Sequence, residues 1–439
     1  MHSPGTIRNG RLNISAVAPR FDATKLAVAT IRGALALAVL FALLLMGARP
    51  ARAQTETVLH SFTSNEDGAQ PYAGLVRDAK GNLYGTTLNG GSFGDGTVFE
   101  VPLIGAETVL HAFKGPTGDD GAWPYAGLVR DPKGNLYGAT TSGGAGSNYG
   151  TVFGLPLKGG EEPLYSFVDG PTDGSYAQGD LVRDSQGNLY GTTVYGVGND
   201  YGTVFQVTPA GKETVLYSFT GQPDGVFPYA GLIRDAKGNL YGTTYYGGTS
   251  KFGTVYQITS TGTETVLYSF TGASGDGANP LADLLRDPKG NLYGTTQYGV
   301  GGSCNPTSCG TVFELALSKG KWKETVIHAF SGETDGAQPY AGLIRDSKGN
   351  LYGTTFAGGA NGYGTVFELQ PPSQPGGTWT ETVLYSFCQT YVGVTCTDGA
   401  NPKARLVRDK EGNLYGTTWQ GGSSDNCTGG CGTVFELIP

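Results

Sequence analysis

The stretch LVRDAKGNLYGTT, from Leu75 to Thr87, decides the fold of this 439-residue chain. Its core Gly-Asn-Leu-Tyr-Gly starts at Gly81 and returns, roughly every 50 to 60 residues, six more times. The later copies start at Gly134, Gly187, Gly238, Gly290, Gly349 and Gly412. Seven copies of one unit indicate a repeat architecture rather than a series of unrelated domains.

Each repeat contains four short segments rich in β-branched and aromatic residues. In the first repeat we name them strand A (Leu75–Asp78), strand B (Asn82–Thr87), strand C (Gly96–Val101) and strand D, which opens at Glu107. Gly, Asp and Pro bound these segments, which is typical of strands, and no helical period of apolar residues is sustained after the leader. We therefore predict an all-β fold, a seven-bladed β-propeller with four-stranded blades.

The phase of the repeat predicts how the ring closes. The chain after the leader opens with a D-type segment, Glu56–Phe62, and ends just after strand C of the last repeat. We expect the N-terminal strand to complete the last blade, because this pairing would cover two open sheet edges.

The first 53 residues differ from the repeats and resemble a targeting segment. Several Arg and Lys residues precede an apolar run, Ala34–Met46, and a small-residue site, Ala51–Ala53. The pattern predicts a signal peptide over residues 1–53 and a propeller domain over residues 54–439. A membrane anchor is the alternative, although a span needs about 20 apolar residues. We expect a secreted protein, periplasmic or extracellular.

The charge and the cysteines fit that compartment. The net charge is −8, and loss of the basic leader would make it more negative, which argues against nucleic acid and membrane surfaces as partners. The six cysteines form three close pairs: Cys304 and Cys309, Cys388 and Cys396, Cys427 and Cys431. Local disulfides are expected in an exported protein, and zinc is the competing interpretation. No neighbouring His supports zinc, so no metal site is expected.

The repeated motifs resemble known propeller families. The hairpin Asp78–Tyr84 looks like the A–B hairpin of NHL and gluconolactonase-type propellers. Gly-Asn-Leu-Tyr-Gly-Thr-Thr and Gly-Thr-Val-Phe-Glu together resemble the GloVer repeat family of exported bacterial proteins over all seven units. The resemblance implies the fold and the compartment and no catalytic residue. Members often carry a C-terminal surface anchor that is not evident here, so we expect release.

Residues that break the repeat are the candidates for function, because a single site must depart from sevenfold symmetry. The column of Gly74 holds Asp180, Asp283 and Arg405, and the column of Tyr72 holds Lys403. These positions lie where the D–A loop enters the innermost strand. The resulting charges would serve acid–base catalysis or cation binding. Alternatively, they are drift at exposed positions.

A second departure follows strand B. Aromatic residues occupy two columns there: Tyr195, Tyr245, Tyr246, Tyr298, Phe356 and Trp419. Exposed rings on one face would stack on sugars or contact a protein, whereas packing between blades is the structural alternative.

We predict a monomeric binding or interaction module whose partner, a glycan or an extracellular protein, lies on the face of the B–C and D–A loops. One alternative is a propeller lyase or hydrolase with calcium as its only possible cofactor; another is a structural envelope protein. The four charges gathered in one pocket would favour the enzyme. Shared exposure of Tyr245, Tyr298, Phe356 and Trp419 would favour the binding module.

Overall fold

The computed structural model describes residues 54–439, apart from 147, 157–159, 161, 169, 171, 197, 199, 274, 300–308 and 375. The predicted signal peptide, residues 1–53, lies outside the described residues and stays a prediction. Residues 54–439 form one compact unit.

Seven four-stranded antiparallel sheets follow one another along that unit. The A strands are Val76–Arg77, Val129–Arg130, Val182–Arg183, Ile233–Arg234, Leu285–Arg286, Ile344–Arg345 and Val407–Arg408. The B strands are Leu83–Thr87, Leu136–Thr140, Leu189–Gly196, Leu240–Thr244, Leu292–Thr296, Leu351–Thr355 and Leu414–Thr418. The C strands are Thr97–Val101, Thr151–Leu155, Thr203–Val207, Thr254–Ile258, Thr311–Ser318, Thr365–Gln370 and Thr433–Ile438. The D strands of blades 1 to 6 are Thr108–Ala112, Glu162–Ser166, Glu213–Ser218, Glu264–Ser269, Lys321–Ala329 and Thr380–Ser386. The prediction of a seven-bladed propeller is confirmed.

Short strands tie the D–A loops to the B–C loops and so place both on one face. The paired segments are Gly121–Ala122 with Ser142–Gly143, Gly174–Ala177 with the third B strand, Gly225–Val226 with Tyr246–Gly247, and Gly277–Ala278 with Tyr298–Gly299. A hairpin, Tyr391–Val392 with Thr395–Cys396, and one 3-10 helix, Gly115–Gly118, complete the elements. Across the described part of the chain, no helix is both long and apolar enough to cross a membrane.

The recurring stretch works as a self-contained A–B hairpin. Asp78 Oδ1 accepts hydrogen bonds from the backbone N–H groups of Lys80 and Asn82, both at 2.9 Å. Gly81 has a φ of 98°, in the left-handed region that a side chain disfavours. A Cβ at Gly85 would lie 2.6 Å from the ring of Phe99. These local contacts explain why the motif returns in every blade.

Neighbouring blades are joined by paired aromatic rings and by strand-B hydroxyls. Phe62 lies against Phe99 of blade 1 at a centroid distance of 5.1 Å, and an equivalent pair recurs at every blade junction. Thr86 Oγ1 donates to the carbonyl of Ala126 in blade 2. The core is therefore a ring of interfaces between blades rather than one central cluster.

The N-terminal strand closes the ring as predicted. Thr55–Ser61 pairs antiparallel with Thr433–Ile438 and supplies strand D of blade 7. The B–C loop of blade 7 adds hydrogen bonds across the same junction: Asn426 Nδ2 donates to the Thr63 carbonyl at 2.7 Å. The first and last parts of the propeller are thus held together by a strand and a loop.

Disulfides brace two of the loops. Cys388 is bonded to Cys396 and Cys427 to Cys431, as predicted. Cys309 is also disulfide-bonded, but its predicted partner Cys304 lies outside the described residues.

Candidate functional site

The D–A loops of all seven blades converge on a central channel. Its mouth is a cavity of about 80 Å³ lined by the columns that begin at Tyr72 and Gly74. On the opposite face the channel opens into a wider cavity of about 880 Å³ between the A–B turns. Asp180, Asp283 and Arg405 line both cavities, so these three side chains occupy the constriction between them.

The two carboxylates are held by backbone amides of neighbouring blades. Gly127 N–H donates to Asp180 Oδ1 and Gly231 N–H donates to Asp283 Oδ1, each at 2.6 Å. Arg405 reaches across from blade 7 and places Nη2 at 3.9 Å from Asp180 Oδ2. The structure thus gathers the charged residues that sequence analysis singled out, and their first partners are one another and the channel wall.

Burial controls the protonation of Asp283. Removal from water and, second, the negative charge of Asp180 together raise the pKa of Asp283 to about 7, against the opposing effect of Arg405. Near neutral pH the pair therefore holds a proton for part of the time.

Lys403 lies above the constriction inside a cage of aromatic rings. Its Nζ is 3.7 Å from the ring centroid of Trp419, 4.8 Å from that of Tyr72, 5.2 Å from that of Phe356 and 5.7 Å from that of Tyr340. Burial lowers the pKa of Lys403 to about 8. Among the described residues no carboxylate lies within 4.0 Å of this ammonium group, so the rings supply its main local stabilisation.

Half-exposed rings continue from this cage around the channel mouth. Tyr340 contacts Phe356 at 5.1 Å, and Phe356 contacts Trp419 at 6.4 Å. In the other direction, the buried Gln297 Nε2 donates to the Tyr340 hydroxyl at 2.6 Å, and the Tyr245 hydroxyl donates to Gln297 Oε1 at 2.9 Å. A hydrogen-bonded amide thus bridges the two groups of rings.

The rings beyond Tyr245 extend the arc through blades 4 and 3. Tyr245 contacts Tyr246 and Tyr229, Tyr229 contacts Phe227, and Phe227 contacts Tyr195. We call the whole arc the aromatic crescent: Tyr195, Phe227, Tyr229, Tyr245, Tyr246, Tyr340, Phe356 and Trp419. It contains five of the six predicted ring positions.

The sixth predicted ring, Tyr298, is half-buried and lies beside the crescent. Its backbone pairs with Ala278 of the D–A loop. Its phenol is near enough that its charge raises the pKa of Tyr245 and of Tyr340. The four charged residues thus share one cavity. Of the four rings whose shared exposure would favour a binding module, Tyr245, Phe356 and Trp419 lie in the crescent, but all four are only half-exposed.

Sequence reasoning missed the residues that connect these groups. Tyr340 and Tyr229 belong to a column that repeats, so they did not stand out, and Gln297 is the single amide in a column that is otherwise apolar, aromatic or Thr. The D–A loops also hold non-glycine residues with positive φ in every blade: Gln70, Trp123, Tyr176, Phe227, Asn279, Gln338 and Asn401. Such backbone is costly for residues other than Gly, and it recurs at binding sites.

A peripheral pocket adjoins the crescent. Tyr246, which is 45 % exposed, forms one wall of a cavity of about 600 Å³. Tyr201, Gln222 and Lys251 form other parts of its lining. The face therefore offers a path of contacts from the channel mouth outward over blade 4.

The sevenfold Asp of the D–A loop serves a structural purpose in the described repeats. His111 Nε2 lies 3.1 Å from Asp120 Oδ2, and the Tyr217 hydroxyl donates to Asp224 Oδ2 at 2.9 Å. His and Tyr thus exchange at one strand-D position because both pair with the same carboxylate. In the part of the chain that the structure describes, no three His, Cys, Asp or Glu side chains converge to hold a metal ion.

A family model matches nearly the whole propeller. Residues 48–235 and 212–435 match the Gloeobacter/Verrucomicrobia repeat. The search of curated proteins found no match.

Solved structures with a similar fold include extracellular bacterial domains. Two come from B. thetaiotaomicron: the extracellular domain of a protein described as a one-component system (TM-score 0.52, 10% identity) and that of a hybrid two-component system (TM-score 0.50, 12% identity). The matches cover 85% and 87% of this chain but only 39% and 41% of those chains, so this chain spans about two fifths of their length.

A gluconolactonase of Xanthomonas campestris is also similar, at 13% identity and a TM-score of 0.40, with 70% of this chain and 82% of that one covered. At identities of 10% and 12%, the likeness to the two B. thetaiotaomicron domains shows the fold alone.

Proposed function

The chain belongs to the Gloeobacter/Verrucomicrobia repeat family, and we propose that it is a carbohydrate-binding module that receives a glycan on the face of the D–A and B–C loops. The observation that carries the proposal is the aromatic crescent. Its rings are half-exposed and contact one another edge to face or tilted, and Gln297 bridges the two groups of rings into one arc around the cavity. Large rigid rings with a few fixed polar groups are typical of ligand sites.

The dimensions favour a chain of sugars lying across the face. The cavity at the channel mouth, at about 80 Å³, is much smaller than the peripheral pocket beside Tyr246, at about 600 Å³, so we place the sugar rings outside the channel. The crescent and the peripheral pocket beside Tyr246 lie outside that constriction and offer the larger surface. A glycan is favoured over an extracellular protein because the ring surface is a narrow arc rather than a broad apolar patch.

The same geometry weighs against the alternative of a lyase or hydrolase. Asp180 and Asp283 are the only candidate pair for acid–base chemistry from sequence, and each already accepts a backbone hydrogen bond inside the constriction. A polymer bound on the crescent would have to send its scissile bond past Lys403 to reach them. Binding without catalysis therefore accounts for more of the site.

We propose that the module acts outside the cytoplasm. The disulfides Cys388–Cys396 and Cys427–Cys431 brace loops of the binding face, and such bonds persist in oxidising compartments.

A glycan array, run with and without calcium, tests the proposal. We expect wild-type protein to bind a subset of glycans, and Tyr245→Ala, Phe356→Ala and Trp419→Ala each to weaken binding about tenfold or more. Tyr391→Ala is the matched control, because Tyr391 is 70 % exposed on a loop hairpin outside the crescent. Equal loss in the control variant, or no glycan bound at all, would reject the proposal. Binding that depends on calcium would instead support the alternative of a lyase or hydrolase that uses this ion.

A further inference from the structure

Lys403 is a half-buried cation without an anionic partner among the described residues, and it lies near one end of the aromatic crescent. Trp419, Tyr72, Phe356 and Tyr340 surround its ammonium group, as described above. In the other blades this column carries Tyr, Gln or Leu, so the charge is a single departure from the repeat.

The nearest carboxylates of the site are already engaged. Asp180 accepts from Gly127 N–H and faces Arg405, and Asp283 accepts from Gly231 N–H. Within the described residues, Lys403 takes part in no ion pair. A buried cation that has lost water without gaining an anion favours a ligand that supplies one.

From this arrangement we infer that the glycan is acidic, and that the carboxylate of a uronic acid or similar sugar pairs with Lys403 while the sugar rings stack on the crescent. This inference rests on the proposed function, since it names the class of glycan that the same site would bind.

The size of the cavity at the channel mouth fits a carboxylate at Lys403 and sugar rings on the crescent outside it. At about 80 Å³, this cavity is much smaller than the peripheral pocket of about 600 Å³, so it suits a carboxylate group better than a sugar ring. Trp419 Nε1–H is buried and has no acceptor among the described residues, so a second donor lies next to the ammonium group. The charge would select the acid, and the rings would hold the chain.

The ammonium group also makes the selection depend on pH. Lys403 is charged below its pKa of about 8 and loses its charge above it, so preference for the acid should fade as the pH rises. The other titratable or charged groups around it are Tyr72, Tyr125, Tyr229, Tyr340, Arg405, Asp180 and Asp283. Asp283 titrates near pH 7, so the comparison is made above that value.

A matched pair of oligosaccharides tests the inference by calorimetry: a galacturonic acid tetramer and its methyl ester, in which each negative carboxylate is replaced by a neutral ester. We expect wild-type protein to bind the acid about tenfold more tightly at pH about 7.5, and the preference to vanish near pH 9.5. Lys403→Met should bind both forms equally. Lys403→Arg should retain the preference at both pH values, because an arginine does not titrate in this range.

The outcomes separate the two proposals. Equal binding of acid and ester by wild-type protein would overturn the acidic class and leave glycan binding intact. Binding of neither form, or binding that survives the joint loss of Tyr245, Phe356 and Trp419, would overturn both. Unchanged preference in Lys403→Met would show that Lys403 only packs against its rings. Tighter binding of an acidic peptide than of the acid tetramer would replace the glycan by a protein partner.

Discussion

Six glutamates on the outer strands should make the propeller less stable as the pH rises, and Glu324 offers the sharpest test. Glu324 lies on strand D of blade 5, and its buried Oε1 has no hydrogen-bond partner among the described residues. Burial and the nearby charge of Asp276 raise its pKa to about 8, from 4.5 for an ordinary glutamate. Asp276 already accepts hydrogen bonds from Thr271 N–H and Gly277 N–H, so its carboxylate is held in place and does not readily move away from Glu324.

The sign follows from which form the fold prefers. The folded state holds Glu324 protonated, so the full stability is present below about pH 4.5 and is lost as the pH rises through about 8. The complete shift would correspond to about 5 kcal/mol, and partial solvation reduces it to about 1 to 2 kcal/mol. For a domain of this size, that loss lowers the melting temperature by about 1 to 3 °C.

Replacement by a neutral isostere isolates the effect. We expect Glu324→Gln to raise the melting temperature by about 1 to 3 °C at pH 8.5 and to change it little at pH 5, because the amide is neutral at both values. Glu66→Gln is the control, since Glu66 is exposed on a D–A loop. Scanning calorimetry at both pH values measures the difference. A variant that is equally stable or equally unstable relative to wild type at both pH values would refute the reasoning.

The same arrangement recurs around the ring, which enlarges the effect in the wild type. Six glutamates on strand D or directly before it each have a raised pKa and a buried Oε1 without a partner among the described residues: Glu56, Glu107, Glu213, Glu264, Glu324 and Glu381. If the six contributions add, we expect the melting temperature of wild-type protein to be about 10 °C lower at pH 8.5 than at pH 5.

Three further substitutions test other parts of the structure by thermal or denaturant unfolding. Tyr256→Phe should stabilise the fold by about 1 kcal/mol, because the Tyr256 hydroxyl is buried without a partner among the described residues and Phe fills this position in the other blades; destabilisation would show that the hydroxyl has a partner. Phe62→Ala should cost about 3 to 5 kcal/mol, since Phe62 is fully buried against Phe99 at the closing junction, and deletion of residues 54–63 should cost more; an unchanged melting temperature would contradict closure by this strand. Relative to wild-type protein, Asp283→Asn should destabilise the fold less above pH 7 than below it. Asp180→Asn instead removes the partner of Arg405 at every pH. Equal effects of the two variants on unfolding would show that Asp283 does not hold the proton.

The repeat fold was predictable because its determinants are local and occur seven times. The Asp78 turn, the left-handed Gly81 and the packing of Gly85 against Phe99 all lie within one blade. The phase of the repeat was enough to predict the closing strand, since only a D-type segment completes the last blade. Sequence patterns alone were therefore enough to predict the architecture and the strand topology.

The site was predictable only in part, because its contacts join repeats that are far apart in sequence. The departures at Lys403 and Trp419 were visible, but their meeting with Tyr72 of the first blade depends on the radius of the closed ring. Gln297 links two groups of rings through its amide, and nothing in its column indicates that geometry. Glu324 could not be singled out from the sequence for the opposite reason, since Glu occupies the same position in every repeat.

The asymmetry of the crescent gives the site a direction. Strand B is followed by rings in blades 4, 6 and 7, whereas blades 1 and 2 carry Leu88 and Thr141 at the equivalent position. The rings that follow strand B are therefore missing in those two blades, although the D–A loop rings Tyr72 and Tyr125 contact each other there at 5.0 Å, and Lys403 lies near one end of the crescent. A glycan anchored at Lys403 by a terminal acid would meet the strand-B rings of blades 6 and 4 and would find no such ring in blades 1 and 2. Sevenfold repetition supplies a rigid scaffold and, on the proposed function, the departures from it would determine which way a bound chain runs across the face.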